Sequence, residues 1–262
     1  MTALRVFRNA VHLGYVDFRY QWGPVSWLVG YCVRIVSETT FYGLIGVLLG
    51  SAQRVEYLVV GNSVFIGCAT TMLAAQAITW DRFDGTYPLL VVAPSSYVPA
   101  VVGRTAVWVL DGMATAVLAL FVVSAIFGLR MDPLRGAVAL PLIVLTCLST
   151  FCLALFVGAM ASLRPSLRNM ISILVRMTIL AICGVNVPVA FWPVPVQVLA
   201  GVLPVTHGVA AIRLLLAGAP AGQVMASAGL EAVVGAGWLA VAVLTFDRLT
   251  ERGRASGSIE FV

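Results

Sequence analysis

Residues 136–162 read GAVALPLIVLTCLSTFCLALFVGAMAS, an apolar run that contains no charged side chain. A helix of this length measures about 40 Å, which exceeds the roughly 30 Å thickness of a bilayer's hydrocarbon core. The run is continuously apolar and does not alternate between apolar and polar residues, as a strand of a membrane barrel would. This stretch therefore predicts a helix that crosses a membrane.

Five further stretches resemble this one, so the sequence predicts an all-α membrane protein with six transmembrane helices. Hydrophobic residues make up 61% of the chain and charged residues only 10%. The predicted spans are 25–50, 57–79, 97–128, 136–162, 169–189 and 222–246. We treat residues 1–262 as a single transmembrane domain, in which residues 80–96 link the second and third spans, residues 190–219 precede the last span, and residues 247–262 form a tail.

The first 24 residues predict a helix that lies on the membrane surface rather than a cleavable signal. Arg5, Arg8 and Arg19 interrupt any apolar core that a signal would need. Apolar residues recur at helical spacing at positions 6, 10, 13 and 16, which would give the helix one apolar face. The net charge of +5 then indicates contact with anionic lipid headgroups and no nucleic-acid partner.

The composition excludes several kinds of chemistry. All sixteen basic residues are arginine, so the chain has neither the lysine of a Walker A loop nor one for a Schiff base. Its histidines, His12 and His207, are far apart, and the five cysteines lie inside apolar stretches without a CxxC pattern. We therefore expect no catalytic residue, no metal site and no cofactor in this chain.

Arginine bias predicts the orientation, because positively charged residues accumulate on the cytoplasmic side. With the N-terminus inside, nine arginines fall in the inner segments and four in the outer ones. Both termini, including the tail, are therefore expected in the cytoplasm.

Two connections between spans carry further information. The inner one, Trp80 to Ser96, begins charged and becomes a short amphipathic piece closed by a proline, which predicts a short helix parallel to the membrane or a plain interfacial turn. The later one, residues 184–219, is apolar and rich in proline, and prolines stop helices. It predicts two short helices that dip into the outer leaflet and return, or else an apolar extracellular loop.

Together these segments resemble the permease subunits of type-2 ABC exporters, which include antibiotic and polysaccharide export permeases. The inner loop offers the residues Asp84-Gly85-Thr86, then Leu89 or Leu90, and then Pro94. The later segment offers Pro188, Pro193, Leu203-Pro204-Val205-Thr206-His207, Arg213 and Gly218, with Leu203 where the family usually has asparagine. The size, the six spans and the surface helix agree with that family.

The resemblance implies a mechanism. Two permeases, identical or related, pair in a bacterial inner (plasma) membrane, and each docks a separate ABC ATPase subunit that holds the ATP and Mg²⁺. Closure of the ATPases would move the surface helix and the inner loop, where Asp81, Arg82, Asp84, Gly85, Thr86 and Pro94 would take part in coupling. The second and fifth spans would line the path, with Asn62, Thr70, Gln76 and Asn186 as candidate lining residues.

Charges inside spans are costly and are usually paired or functional. Arg34 and Glu38 are four residues apart on one helix, which predicts a local ion pair or a polar patch that faces the path. Arg104 and Asp111 are too far apart to pair easily, so Arg176 is proposed as the partner of Asp111. These five residues form a predicted intramembrane polar network. We expect Glu231 to meet Arg213 or to lie near the outer surface.

Two other kinds of protein stay open on the residues alone. Asp111-Gly112-Met113-Ala114-Thr115 faintly matches the start of a motif of membrane-embedded lipid-modifying enzymes, but the later paired aspartates of that motif are missing. An ion-coupled carrier would favour internal repeats around broken helices, and the two halves of the chain show no clear repeat. The cargo is not indicated by the sequence.

Overall fold

The computed structural model describes residues 3–83, 97–129 and 132–256. Helices account for 88% of the structure, and the described residues contain no strand, which confirms the all-α prediction. The α-helices are α1 (Ala3–Gln21), α2 (Pro24–Leu48), α3 (Ala52–Thr71), α4 (Leu73–Phe83), α5 (Tyr97–Ile126), α6 (Pro133–Ala161), α7 (Arg168–Ile182), α8 (Val194–Val202), α9 (Thr206–Leu216) and α10 (Ala221–Ser256).

Among these described residues, four stretches are long and apolar enough to cross a membrane. They are Ala52–Trp80, which joins α3 to α4, and Val98–Ile126, Pro133–Ala161 and Ala221–Glu251. They correspond to the second, third, fourth and sixth predicted spans. Helices α8 and α9 meet the same criteria only as a pair, and this pair is bent by 88°. The pair matches the two short helices predicted within residues 190–219.

The first and fifth predicted spans do not correspond to any of these four candidate spans. Helix α2 covers most of residues 25–50, but Arg34 and Glu38 in its middle lower its hydropathy, and it is not among the candidate spans. Helix α7 has only 15 residues, about 23 Å. It ends at Ile182 because the backbone leaves the helical region at Cys183 and Gly184 takes a φ of +77°. The predicted span 169–189 is thus a short helix followed by an irregular segment.

The last helix is longer than predicted. Helix α10 continues to Ser256, so residues 247–256 of the predicted tail are helical. The sequence from Asp247 to Arg252 contains no proline or glycine that would end a helix. A 36-residue helix measures about 54 Å and therefore reaches well beyond the hydrocarbon core.

The stretch formed by α3 and α4 lies at the centre of the molecule. In its most apolar window 94% of the residues are buried, against 22% in α10. Helix α5 packs along α3, and the close approach depends on two glycines: a Cβ on Gly112 would meet the backbone oxygen of Gly67 and the hydroxyl of Thr71. Small residues at such crossings let membrane helices approach closely.

The remaining helices surround this centre. Helices α1 and α2 pack against α5 and α3, while α6 packs between α4, α9 and α10. The largest buried cluster draws apolar residues from α3 to α6, α9 and α10, with Val64, Leu120, Ile143 and Ile212 essentially inaccessible. The core thus fixes α9 against α3, which brings the end of the irregular segment to the centre of the fold.

Candidate functional site

The segment from Cys183 to Ala217, which we call the corner segment, leaves α7, forms α8 and α9, and returns to the centre of the molecule. Backbone that leaves a helix loses its helical hydrogen-bond partners, and at membrane depth water does not replace them. The contacts that satisfy this backbone therefore determine where the segment can lie.

Arg213 on α9 supplies several of these contacts. Its Nη1 donates a hydrogen bond of 2.6 Å to the carbonyl of Gly184, and its Nη2 donates bonds of 2.7 and 2.9 Å to the carbonyls of Tyr57 and Val185. The centre of the guanidinium also lies 3.4 Å from the centroid of the Tyr57 ring, a cation–π contact. Arg213 thus joins α9, α3 and the irregular segment after α7.

Helix α3 completes this arrangement. The hydroxyl of Tyr57 donates a 2.7 Å bond to the Gly184 carbonyl. Asn62 Nδ2 donates bonds of 2.8 Å to Asn186 Oδ1 and to the Leu58 carbonyl within its own helix. A Cβ on Gly61 would collide with Arg213 and with the Val185 carbonyl, so a glycine is needed where the segment crosses α3.

Glu231 on α10 holds the other end of α9. Its side chain is fully buried, with Oε1 accepting a 3.0 Å bond from the Val205 amide and Oε2 a 2.9 Å bond from the Gly208 amide. These amides belong to the first turn of α9, where backbone donors have no helical acceptor and the helix dipole favours a negative charge. The expected meeting of Glu231 with Arg213 is wrong, because each residue binds backbone groups at a different end of α9.

The residues predicted for the later segment are placed close to this site. Pro188 and Pro193 precede the short turn Val189–Phe191 and α8, and Pro204 lies between α8 and α9. His207 Nε2 lies 3.0 Å from the Gly201 carbonyl, and the Thr206 hydroxyl donates a 2.6 Å bond to the Ala200 carbonyl. Both contacts tie the start of α9 back to the end of α8.

The predicted network of intramembrane charges is divided into separate contacts. Arg34 and Glu38 form the ion pair that their spacing predicts, with 3.5 Å between Nε and Oε2. Asp111 does not meet Arg176: its Oδ1 accepts a 3.0 Å bond from the indole of Trp27, which joins α5 to α2. Arg176 is half-buried and, among the described residues, has no ion pair.

Arg104 forms the remaining contact of that set, with the N-terminal helix. Its Nη2 and Nε lie 2.9 and 3.1 Å from Asp17 Oδ2, which ties α1 to α5. A cavity of about 200 Å³ lies beside the pair and is lined in part by Trp80 and Trp108. The contact between α1 and α5 therefore includes a charged pair.

The candidate path-lining residues differ in their surroundings. Asn62 is 2% exposed and Thr70 is fully buried by the chain's own helices, and the Thr70 hydroxyl donates to the Ile66 carbonyl. Gln76 and Asn186 are half-buried. In this conformation the first two residues face the packed interior of a single chain.

The predicted coupling residues fall mostly outside the described residues. Asp81 and Arg82 belong to the last turn of α4. Asp84, Gly85, Thr86 and Pro94 lie in the segment 84–96, which is not among the described residues.

Sequence reasoning missed Asp17, Trp27 and Tyr57 as partners of the intramembrane charges. Asp17 is the sole acidic residue of α1. That isolated negative charge on a predicted surface helix is the sequence feature that could have indicated a partner for Arg104. Within the described part of the chain, no three histidine, cysteine, aspartate or glutamate side chains come together as a group that would hold a metal ion.

The comparisons with known proteins identify the family. The family model described as ABC-2 type transporter matches residues 26–216, which include nearly all of α2, the whole of α3 to α9 and thus the corner segment as far as Leu216. A search of curated proteins gives no significant match. The matched region also contains three of the four candidate spans and the bent pair. The chain belongs to the ABC-2 type transporter family and is a multi-pass membrane component of an ABC-type transporter.

Proposed function

We propose that this chain is the permease subunit of an ABC exporter in which ATP is hydrolysed by separate subunits. The observation that carries the proposal is the family match over residues 26–216. The absence of lysine supports the division of labour, because a Walker A loop needs that residue to hold phosphate groups. ATP and Mg²⁺ would then bind only in the partner ATPase.

The assembly that we propose contains two permeases and two ATPase subunits in a bacterial inner membrane. Helices α2 and α7 each expose a series of large apolar side chains, which suits contact with lipid or with a second permease. The residues of α2 are Val25, Leu28, Val29, Val33, Phe41 and Leu44, and those of α7 are Met170, Ile173, Leu174 and Met177. The two permeases would enclose the path for the cargo.

ATPase motion would enter this permease through α1 and the segment 80–96. The Arg104–Asp17 contact supports this route, because it joins α1 to one of the candidate spans. At the opposite side of the membrane, α8 and α9 would form a re-entrant hairpin before the last span. Their 88° bend supports such a return, and Arg213 supplies hydrogen bonds to backbone that a lipid environment would leave unsatisfied.

The direct test is co-purification from the native host with a tag on this chain. We expect an ABC ATPase in the complex extracted with mild detergent, and ATP hydrolysis that is lost when the Walker A lysine of that ATPase is replaced by alanine. Recovery of the chain without an ATPase would contradict the proposal and would favour an ion-coupled carrier or a membrane-embedded enzyme. Once the complex is available, the cargo can be identified by its stimulation of hydrolysis.

A further inference from the structure

The backbone at Val205 is strained. Val205 is the residue before α9 and has a φ of +83°, whereas the other residues with positive φ in the described part of the chain are glycines. A β-branched residue in this region is a genuine outlier, because its side chain crowds the backbone. Such a conformation persists only where the surroundings hold it, and strained residues of this kind concentrate at switch and binding regions.

The surroundings of Val205 include a direct contact from another helix. The Val205 amide donates to Glu231, and the same carboxylate accepts the Gly208 amide one turn into α9. Glu231 and Ser149 are buried together, and the Ser149 hydroxyl donates a 3.4 Å bond to the Glu231 carbonyl, which fixes α10 against α6 at this level. The backbone of Glu231 is thus held by α6, and its carboxylate by the start of α9.

A second hydrogen bond joins α10 to the connection between α8 and α9. The indole of Trp238, two turns after Glu231 on α10, donates a 2.8 Å bond to the Val202 carbonyl at the end of α8. Helix α10 thus binds the connection between α8 and α9, residues 202–205, at both of its ends. We call this connection the joint. Because α10 continues as one helix to Ser256, a shift of α10 acts on this joint directly.

We propose that Glu231 is a positioning residue: its carboxylate holds the strained Val205 joint and thereby sets the position of α9 relative to α10 during the transport cycle. The contact itself follows from the geometry, and its part in transport rests on the proposed function. Loss of the carboxylate lets Val205 relax and releases the start of α9, while Arg213 still holds the other end of the helix.

The variant Glu231→Gln tests the contact. The glutamine keeps the size of the side chain, but its amide oxygen can accept one of the two backbone donors and its NH₂ group faces the other. Hydrogen exchange of the purified protein in nanodiscs should rise by roughly tenfold at residues 205–209, in line with the loss of a charge-assisted hydrogen bond. The rest of the chain should exchange at the wild-type rate. The control Glu56→Gln removes the same charge from an exposed side chain of α3 and should change nothing.

A second substitution tests the strain. Glycine adopts a positive φ without cost, so Val205→Gly in the Glu231→Gln background should return the exchange at residues 206–209 toward the wild-type rate. In the complex with its ATPase, vanadate trapping should change the exchange of α9 in the wild type and in Glu56→Gln but not in Glu231→Gln. A merely structural role would leave that nucleotide response intact.

Failure of this proposal can be distinguished from failure of the proposed function. Unchanged exchange at residues 205–209 in Glu231→Gln overturns the proposal, as does a rise spread over the whole chain or a persistent nucleotide response. If no ATPase co-purifies, the proposed function fails, and the exchange of the isolated protein still decides whether Glu231 holds the joint.

Discussion

Arg213 holds the corner segment through a geometry that only arginine provides. Its planar guanidinium serves three carbonyls and lies on the Tyr57 ring, whereas lysine offers a single ammonium that cannot reproduce the fork or the stacking. Arg213→Lys should therefore destabilise the protein by on the order of 2 kcal/mol, because at least one buried carbonyl loses its donor. The measurement is the midpoint of thermal unfolding in detergent.

The matched control is Arg54→Lys on α3, where the side chain is exposed. This variant should unfold at the wild-type temperature. Equal midpoints for Arg213→Lys and the wild type would mean that the fork of hydrogen bonds does not stabilise the corner segment.

Only some residue contacts could be predicted from the sequence. The Arg34–Glu38 pair could be predicted because helical spacing alone brings the two side chains together. The partners of Asp111 and Arg104 are 84 and 87 residues away, and hydropathy does not indicate which faces of two helices meet. One of the two expectations for Glu231, a pairing with Arg213, is wrong for a related reason: the charge suggested a cation, while its hydrogen-bond partners are backbone amides, which leave no trace in the sequence.

At the scale of helices, the crossing of α3 and α5 depends on the absence of side chains at Gly67 and Gly112. Gly112→Ala should push the helices apart, because the new methyl group would overlap the Thr71 hydroxyl and also the backbone oxygen of Gly67, which cannot rotate away. We expect a destabilisation of about 1–3 kcal/mol, typical of an overpacked contact, measured as a lower unfolding midpoint in detergent.

A glycine on an open helix face provides the comparison. Gly237 lies on α10, and a methyl group added there would meet no neighbouring group within 4 Å. Gly237→Ala should therefore be neutral or slightly stabilising, by up to about 1 kcal/mol of helix propensity. If both alanine variants unfold at the same temperature, the two helices do not depend on this close approach.

The helices themselves were predictable to different degrees. The third, fourth and sixth spans follow from long apolar runs, whose length alone requires a helix in a bilayer. The end of α7 at Ile182 was missed because Val185 and Val187 keep the run apolar and a single glycine is tolerated in membrane helices. Gly184 breaks the helix since its positive φ is stabilised from outside, by Arg213 and Tyr57.

For the whole molecule, the number of crossings is decided by α2, α7 and the α8–α9 pair, and cysteine labelling tests it. With six crossings, a membrane-impermeant maleimide should label Gln53→Cys and Gln223→Cys on intact cells, but Arg5→Cys and Ser166→Cys only after permeabilisation. The wild type is the control, because its exposed cysteine, Cys32, lies within α2 and a thiol in an apolar environment reacts poorly.

If positions 5 and 53 label on the same side, α2 does not cross. If positions 166 and 223 both label only after permeabilisation, either α7 does not cross or the bent pair crosses the membrane as a broken span, and in both cases the re-entrant arrangement on the outer side is wrong.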